Sequence, residues 1–148
     1  MAETWQVIDR IAKLCTEVQG IRNAYPHDGV PNSLDGAVLP AVITIPAAGE
    51  YEYLSFGHAD ETTQEQREYH LLLFVCPAAK PADVAIQSDL LEPFFRRIME
   101  KVKAKYTLES LTGVQYAYIA TDTGAEVIEY AGQVYVGTMF TLRVVQMI

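Results

Sequence analysis

The chain has 148 residues and a mass of 16.5 kDa, the size of one ordinary domain with a single buried core. Half of its residues are hydrophobic, which argues against wholesale disorder, and the net charge of −8 argues against general affinity for nucleic-acid phosphates. The N-terminus lacks the pattern of a signal peptide, and no apolar run approaches the roughly 20 residues that span a bilayer. We therefore expect a soluble protein made in a reducing cytoplasm, with Cys15 and Cys76 reduced and buried.

Two segments have the apolar spacing of amphipathic helices. In the first, apolar residues recur from Trp5 to Val18, with Thr4 in position as the N-cap and Gly20 as the stop. The second extends over 81–106, where apolar residues form one stripe and basic residues lie outside it. Because proline lacks the backbone N–H that a helix requires, we expect Pro93 to bend this helix or divide it into two pieces.

A loop and an edge strand are predicted after the first helix. Residues 25–36 combine prolines, glycines and polar turn formers, which is typical of an irregular loop. The β-forming residues at 37–45 indicate a strand. Pro40 cannot donate to a ladder, so this strand should lie at a sheet edge or start near Ala41.

A hairpin and three C-terminal strands complete the expected fold. Strands are predicted at 50–56 and 65–75, where apolar and polar residues alternate, and the residues between them are polar and acidic. A hairpin at about 47–69 could therefore project from the rest of the domain. Further strands are predicted at 114–120, 126–130 and 133–147. This pattern indicates the α+β class, in which a mainly antiparallel, twisted sheet carries two principal helices on one face of a single domain spanning 1–148.

The last strand has two different faces, because successive side chains point to opposite sides of a sheet. We expect one face to anchor the fold beneath the helices, through Phe140, Leu142 and Val144. We expect the other face to meet a partner, through Tyr135, Thr141 and Arg143. Gly137, in the middle of the strand, should mark a bulge or a close backbone approach.

Motifs that would carry catalysis are missing from the sequence. The three histidines and two cysteines form no metal-ligand pattern, and no serine has the setting of an activated nucleophile. His27 beside Asp28 could act as a base, but such a pair in a turn is far more often solvated. We therefore expect a protein that is not an enzyme and that holds neither a metal nor a cofactor.

Aromatic and charged residues point instead to association. Most of the nine tyrosines fall on predicted strands, where their rings can cover a sheet while their hydroxyls stay wet. The second helix presents basic residues and the hairpin is acidic, so a neighbour's hairpin could dock on that helix. The expected interface between copies consists of Tyr51, Tyr53 and Phe56 on the hairpin, facing Arg97 and Lys101 on the neighbour.

The order of these features resembles the tail-terminator, or tail-completion, proteins of long-tailed bacteriophages. The resemblance covers nearly the whole chain. It is carried by the first helix, the Pro31 loop that leads into 39–42, the strand 67–75, the helix 90–102, Gly113-Val114 and the ending 137–144.

The resemblance implies a structural virion protein and not an enzyme. Members of this family form six-membered rings on the completed tail tube, stop its polymerisation and join the tail to the head. The implied partners are further copies of the chain in a homo-hexamer, the tail tube protein and a neck or head-completion protein, with assembly in the host bacterial cytoplasm and no membrane contact. DNA would pass through the lumen without specific binding, since a negative lining repels phosphate. In such a ring, Tyr135, Thr141 and Arg143 would face the lumen or a partner.

Two other interpretations stay open at this point. An adjacent neck or adaptor protein would share the ring and differ in its partner. A small-molecule-binding α+β domain, or an enzyme, could instead use a pocket between sheet and helices, and stabilisation by a metabolite would favour it.

Overall fold

The computed structural model describes residues 1–53, 63–80 and 82–147. Within these ranges the fold consists of two helices, α1 (Thr4–Thr16) and α2 (Asp83–Ala104), and six strands. The strands are β1 (Asn23–Tyr25), β2 (Ala41–Tyr53), β3 (Thr63–Pro77), β4 (Val114–Asp122), β5 (Glu126–Tyr130) and β6 (Gln133–Met147). A short 3-10 helix at Gly36–Val38 precedes β2.

All six strands belong to one sheet with the order β1, β2, β3, β6, β4. β5 also pairs with β6, so β4 lies beside residues 140–146 and β5 beside residues 133–137 of that strand. Only the pairing of β1 with β2 is parallel among the described strands. The predicted α+β class, with a mainly antiparallel sheet, is confirmed.

β2 is longer than the sequence indicates. The strands predicted at 37–45 and 50–56 are, as far as Tyr53, a single strand, because a bulge between Pro46 and Gly49 lets pairing with β3 resume. Gly49 has no side chain to obstruct this arrangement, whereas a Cβ there would lie 2.8 Å from Nη2 of Arg67. The strand starts directly after the proline, as one of the two predicted alternatives stated.

The helices and strands differ in some details from those that the sequence predicted. Glu3, and not Thr4, is the N-cap of α1, and its backbone N–H donates to Oε1 of Gln6 in the first turn at 2.8 Å. α2 passes through Pro93 as one helix, so the expected division is wrong; Leu91 and Phe94, on either side of the proline, are both buried in the core. β1 was not predicted, since three residues are too few to show a period.

The main hydrophobic core lies between the helices and one face of the sheet. Phe140, Leu142 and Val144 are buried there, which confirms the prediction for this face of β6. Residues of both helices belong to the same cluster, so both helices pack on one face.

A second, smaller cluster covers part of the opposite face. The segment 26–40, which we call the covering loop, closes it, with Leu34 packed against Phe74 and Tyr135. Two tyrosine hydroxyls hold the loop: Tyr130 donates to the carbonyl of Pro31, and Tyr135 donates to the carbonyl of Leu34 at 2.6 Å. The loop thus covers one end of this face, and polar side chains occupy the other end.

Candidate assembly surfaces

The part of β2 that follows its pairing with β1 carries two exposed tyrosines. β1 pairs with β2 only over Ala41–Ile43, and no described strand lies on the outer side of β2 beyond that point. We call residues 44–53 the β2 arm. Tyr51 and Tyr53 are both more than half exposed on it. Phe56, the third predicted member of this surface, lies outside the described residues.

Arg67 on β3 fixes the position of Tyr51. Its Nη2 donates to the Tyr51 hydroxyl at 2.8 Å, and its Nη1 donates to the carbonyl of Ala47 at 3.0 Å. Glu65, whose carboxylate lies 3.4 Å from the same guanidinium, is buried. One cation on β3 therefore bonds both to the bulge and to Tyr51, and so restrains the β2 arm at two points.

The basic residues predicted for the interface already have partners within the chain. Arg97 donates from Nη1 to the carbonyl of Gln19 at 3.0 Å, and its guanidinium lies 5.8 Å from the centre of the Phe94 ring. Lys101 Nζ lies 3.5 Å from Glu17 Oε2. Both side chains thus connect α2 to the segment that follows α1. Their role in contacts between copies stays a prediction.

An apolar groove lies along the side of α2 that carries Met99 and Lys103, and the sequence alone did not indicate it. Met99, Lys103 and Tyr106 line it from α2 and the turn after it, at helical spacing. Tyr116 and Tyr118 border it from β4, and their rings, 6.1 Å apart, extend to the face of the sheet opposite α2, where Tyr118 lies beside Arg143. Ala117 and Ile119 also line the groove, which has a volume of about 460 Å³. We call this feature the tyrosine groove.

The tyrosine groove is an exposed aromatic surface and not part of the core. All three of its tyrosines and Met99 are more than a third exposed, with Tyr106 at 56%. Met and Tyr are enriched at the centres of protein interfaces, and exposed apolar clusters mark such sites. The alternation of Tyr116 and Tyr118 in the sequence indicated that one side of a strand carries tyrosines. No local sequence pattern indicated that this strand, β4, lies beside α2.

Both edges of the sheet are blunted against simple strand addition. On β2, Pro46 lacks an N–H and is followed by the bulge. On β4, the ladder is interrupted by irregularities on both sides of residues 116–119. The backbone N–H of Ala117 is also already bonded to the carbonyl of Tyr106 at 2.6 Å. These features disfavour the pairing of a further strand at these positions.

Arg143 lies on the polar end of the face opposite the helices. Its Nε is 3.3 Å from Glu68 Oε1 on β3, and its side chain is 39% exposed. Gln66 donates from Nε2 to the Tyr118 hydroxyl at 3.2 Å on the same face. A shallow cavity of about 220 Å³ is lined by Ala48, Glu50, Gln66, Glu68 and Arg143. This patch, the open face, carries more negative than positive charge.

Tyr135 and Thr141 do not share the exposure of Arg143. Tyr135 is only 2% exposed, because the covering loop lies over it, so its expected place on a lumen or partner face is wrong. Thr141 is 9% exposed between His70 and Thr121 on the neighbouring strands. Strand alternation assigned the correct face, but it could not show which part of that face a loop covers.

Within the described ranges, no group of three or more histidine, cysteine or acidic side chains could hold a metal ion. None of the helices described is long and apolar enough to cross a membrane. Cys15 is buried, which raises the pKa of its thiol to about 12, whereas Cys76 is partly exposed. No protein-family model matches the chain, and no curated protein matches it.

Proposed function

We propose that this protein is a bacteriophage tail terminator, which forms a ring on the completed tail tube, stops its polymerisation and provides the surface that joins the tail to the head or neck. One observation carries the proposal. The chain has two different exposed aromatic surfaces, the β2 arm and the tyrosine groove, on opposite edges of one sheet.

The separation of these surfaces favours contacts that run head to tail. β3 and β6 lie between β2 and β4, which places the two edge strands about 14 Å apart at the usual spacing of neighbouring strands. Within one chain the two edges lie on opposite sides of β3 and β6. A contact between different surfaces of two copies is heterologous, and it generates a closed ring when the rotation between copies closes.

The charge distribution is compatible with the passage of DNA through such a ring. The open face, with Glu50 and Glu68 beside a single Arg143, is the polar surface available to line a lumen. The whole chain carries a net charge of −8. Phosphates would therefore be repelled and not retained, which suits a conduit.

A tube-capping assay tests the proposal. Tail tube protein of the same virus is allowed to polymerise with and without this protein, and tube lengths are measured by electron microscopy. A terminator should shorten the tubes in proportion to its concentration and should appear as a ring at one tube end. Unchanged tube lengths with no protein at the ends would reject the terminator role, and binding to neck components alone would favour an adaptor.

A further inference from the structure

We infer that the outward face of α2 is a docking site for α2 of a second copy of this chain, with the two helices antiparallel about a two-fold axis beside Pro93. Such a contact is isologous, because each copy contributes the same surface. It differs from the heterologous contacts proposed for the ring. The inference therefore concerns association of the chain in solution and does not rest on the proposed function.

Apolar side chains lie exposed on the outward face of α2. Ile86 is 64% exposed and Leu90 is 50% exposed, although other residues of the same helix are buried in the core. Pro93 and the small residues Ala82 and Ala85 are also exposed. Ile86 and Pro93 are seven residues apart, about two turns, so they lie on one line along the helix. Exposed apolar residues grouped in this way mark an interaction surface.

The charges of α2 and its last turn are divided between two halves. Residues 83–92 contain three acidic residues and no basic one, whereas residues 96–105 contain five basic residues and one acidic residue. The helix dipole favours such charges only in the first and last turns. Asp89, Glu92 and Arg96 lie further inside the helix, so the dipole does not account for them. An antiparallel pair of these helices would place each acidic half beside the basic half of the other copy.

The middle of the helix sets the register of this pair. When Asp89 of each copy faces Arg96 of the other, the two-fold axis lies between Glu92 and Pro93. The Arg96 side chain is 82% exposed, and its Nε is 3.9 Å from Glu100 Oε1, a long ion pair. Pro93 has no N–H, so it gives no hydrogen bond to the carbonyl of Asp89 four residues earlier. Arg96 of the second copy can thus donate both to the carboxylate and to the carbonyl of Asp89.

The size of the contact predicts a weak dimer. A helix of 22 residues is about 33 Å long and about 10 Å wide, so its outward face can cover about 330 Å² of a partner. A standard stable interface buries about 800 Å² per partner. The dimer should therefore form only at high protein concentration. Salt should weaken it further, because its charged groups lie near solvent.

Sedimentation equilibrium of the full chain tests the charge pairing. The wild type, with a mass of 16.5 kDa, should show a monomer–dimer equilibrium. Asp89→Arg should raise the dissociation constant about tenfold, because it brings like charges together at both ends of the two-fold contact. Asp89→Arg combined with Arg96→Asp should restore the wild-type value, because the two charges exchange places. Glu129→Arg, an equal change of charge at an exposed position on β5, is the matched control and should have no effect.

The charge exchange distinguishes a specific contact from damage to the helix, which a second substitution would not repair. Circular dichroism spectra of all variants establish that they are folded. A combined variant that associates as weakly as Asp89→Arg alone would overturn the inference. So would a wild-type chain that stays monomeric up to its limit of solubility.

Cysteine cross-linking tests the antiparallel arrangement. In a Cys76→Ser background, in which the remaining Cys15 is buried, Pro93→Cys should form a disulfide between copies, because residue 93 lies beside the axis. Ile86→Cys is the control, because the two copies of residue 86 would lie about 20 Å apart along the antiparallel helices. Cross-links that form as readily at residue 86 as at residue 93, or at neither position, would overturn the inference.

Discussion

Gln146, near the end of β6, binds both backbone groups of Ala2 at the other end of the chain. Its Oε1 accepts from the Ala2 N–H at 2.9 Å, and its Nε2 donates to the Ala2 carbonyl at 3.2 Å. Gln146 is 1% exposed and Ala2 is 3% exposed. The side chain therefore holds the residues before α1 against the C-terminal strand, at a site that is shielded from solvent.

We expect Gln146→Leu to destabilise the protein by about 2 kcal/mol, because the substitution leaves buried backbone groups of Ala2 without partners. Urea denaturation measures the change in the free energy of unfolding. Gln133→Ala, at an exposed position on the same strand, is the matched control and should change it by less than about 0.5 kcal/mol. Equal effects at both sites would show that the two hydrogen bonds contribute little.

Gly137→Ala should destabilise the protein by about 3 kcal/mol or more, since overpacking against a rigid backbone cannot be relieved by a side-chain movement. A Cβ at this position would lie 2.0 Å from the carbonyl oxygen of Leu73 on the neighbouring strand. Gly36→Ala is the control, because a Cβ there would have no atom within 4 Å. Thermal unfolding of both variants checks the prediction, and a Gly137→Ala protein as stable as the control would contradict it.

The turn after α2 contains three consecutive residues in the left-handed region, Leu108, Glu109 and Ser110, with φ of 51°, 56° and 60°. Arg10 supports the turn by donating from Nη1 to the Leu108 carbonyl at 2.7 Å. Ser110→Gly should raise the free energy of unfolding by about 1 kcal/mol, because glycine adopts this conformation without strain. Ser88→Gly within α2 should lower it. Chemical denaturation distinguishes the two signs, and destabilisation by Ser110→Gly would count against strain here.

His27 on the covering loop is bound to Asp9 of α1, with Nδ1 2.8 Å from Oδ1. The hydrogen bond to Asp9 raises the pKa of His27. For Asp9, burial acts to raise the pKa, but the hydrogen bonds from His27 outweigh it, so the carboxyl pKa is lowered. The stabilisation from His27 is present below its unfolded pKa and is lost as pH rises through the higher folded value. That from Asp9 is lost as pH falls through its lowered folded value.

Trp5 is the only tryptophan and its ring centre lies 5.3 Å from that of His27, so its fluorescence should report this titration. We expect a midpoint above about 6.5, the value for an unperturbed histidine. Asp9→Asn should lower the midpoint, whereas Glu17→Gln, at a carboxylate bound to Lys101, should leave it unchanged. An identical midpoint in wild type and Asp9→Asn would show that the pair does not set the histidine pKa.

The covering loop shows why some surface predictions failed. Alternation along β6 correctly placed Phe140, Leu142 and Val144 under the helices, because a period of two residues is a local property of a strand. The same alternation put Tyr135 on the opposite face. It could not reveal that a loop about 100 residues earlier in the chain buries that ring, with Leu34 as its hydrogen-bond partner at a sequence separation of 101.

The sequence by itself determined the α+β class, both helices, most strands, the two faces of β6 and the close approach at Gly137, because periodicity, turn residues and the lack of a side chain act locally. Only the tertiary structure decided which exposed residues form a surface together. It turned Arg97 and Lys101 towards the end of α1, and it brought β4 beside α2 to create the tyrosine groove. These placements follow from the strand order of the sheet, which long-range pairing sets and no short stretch of sequence encodes.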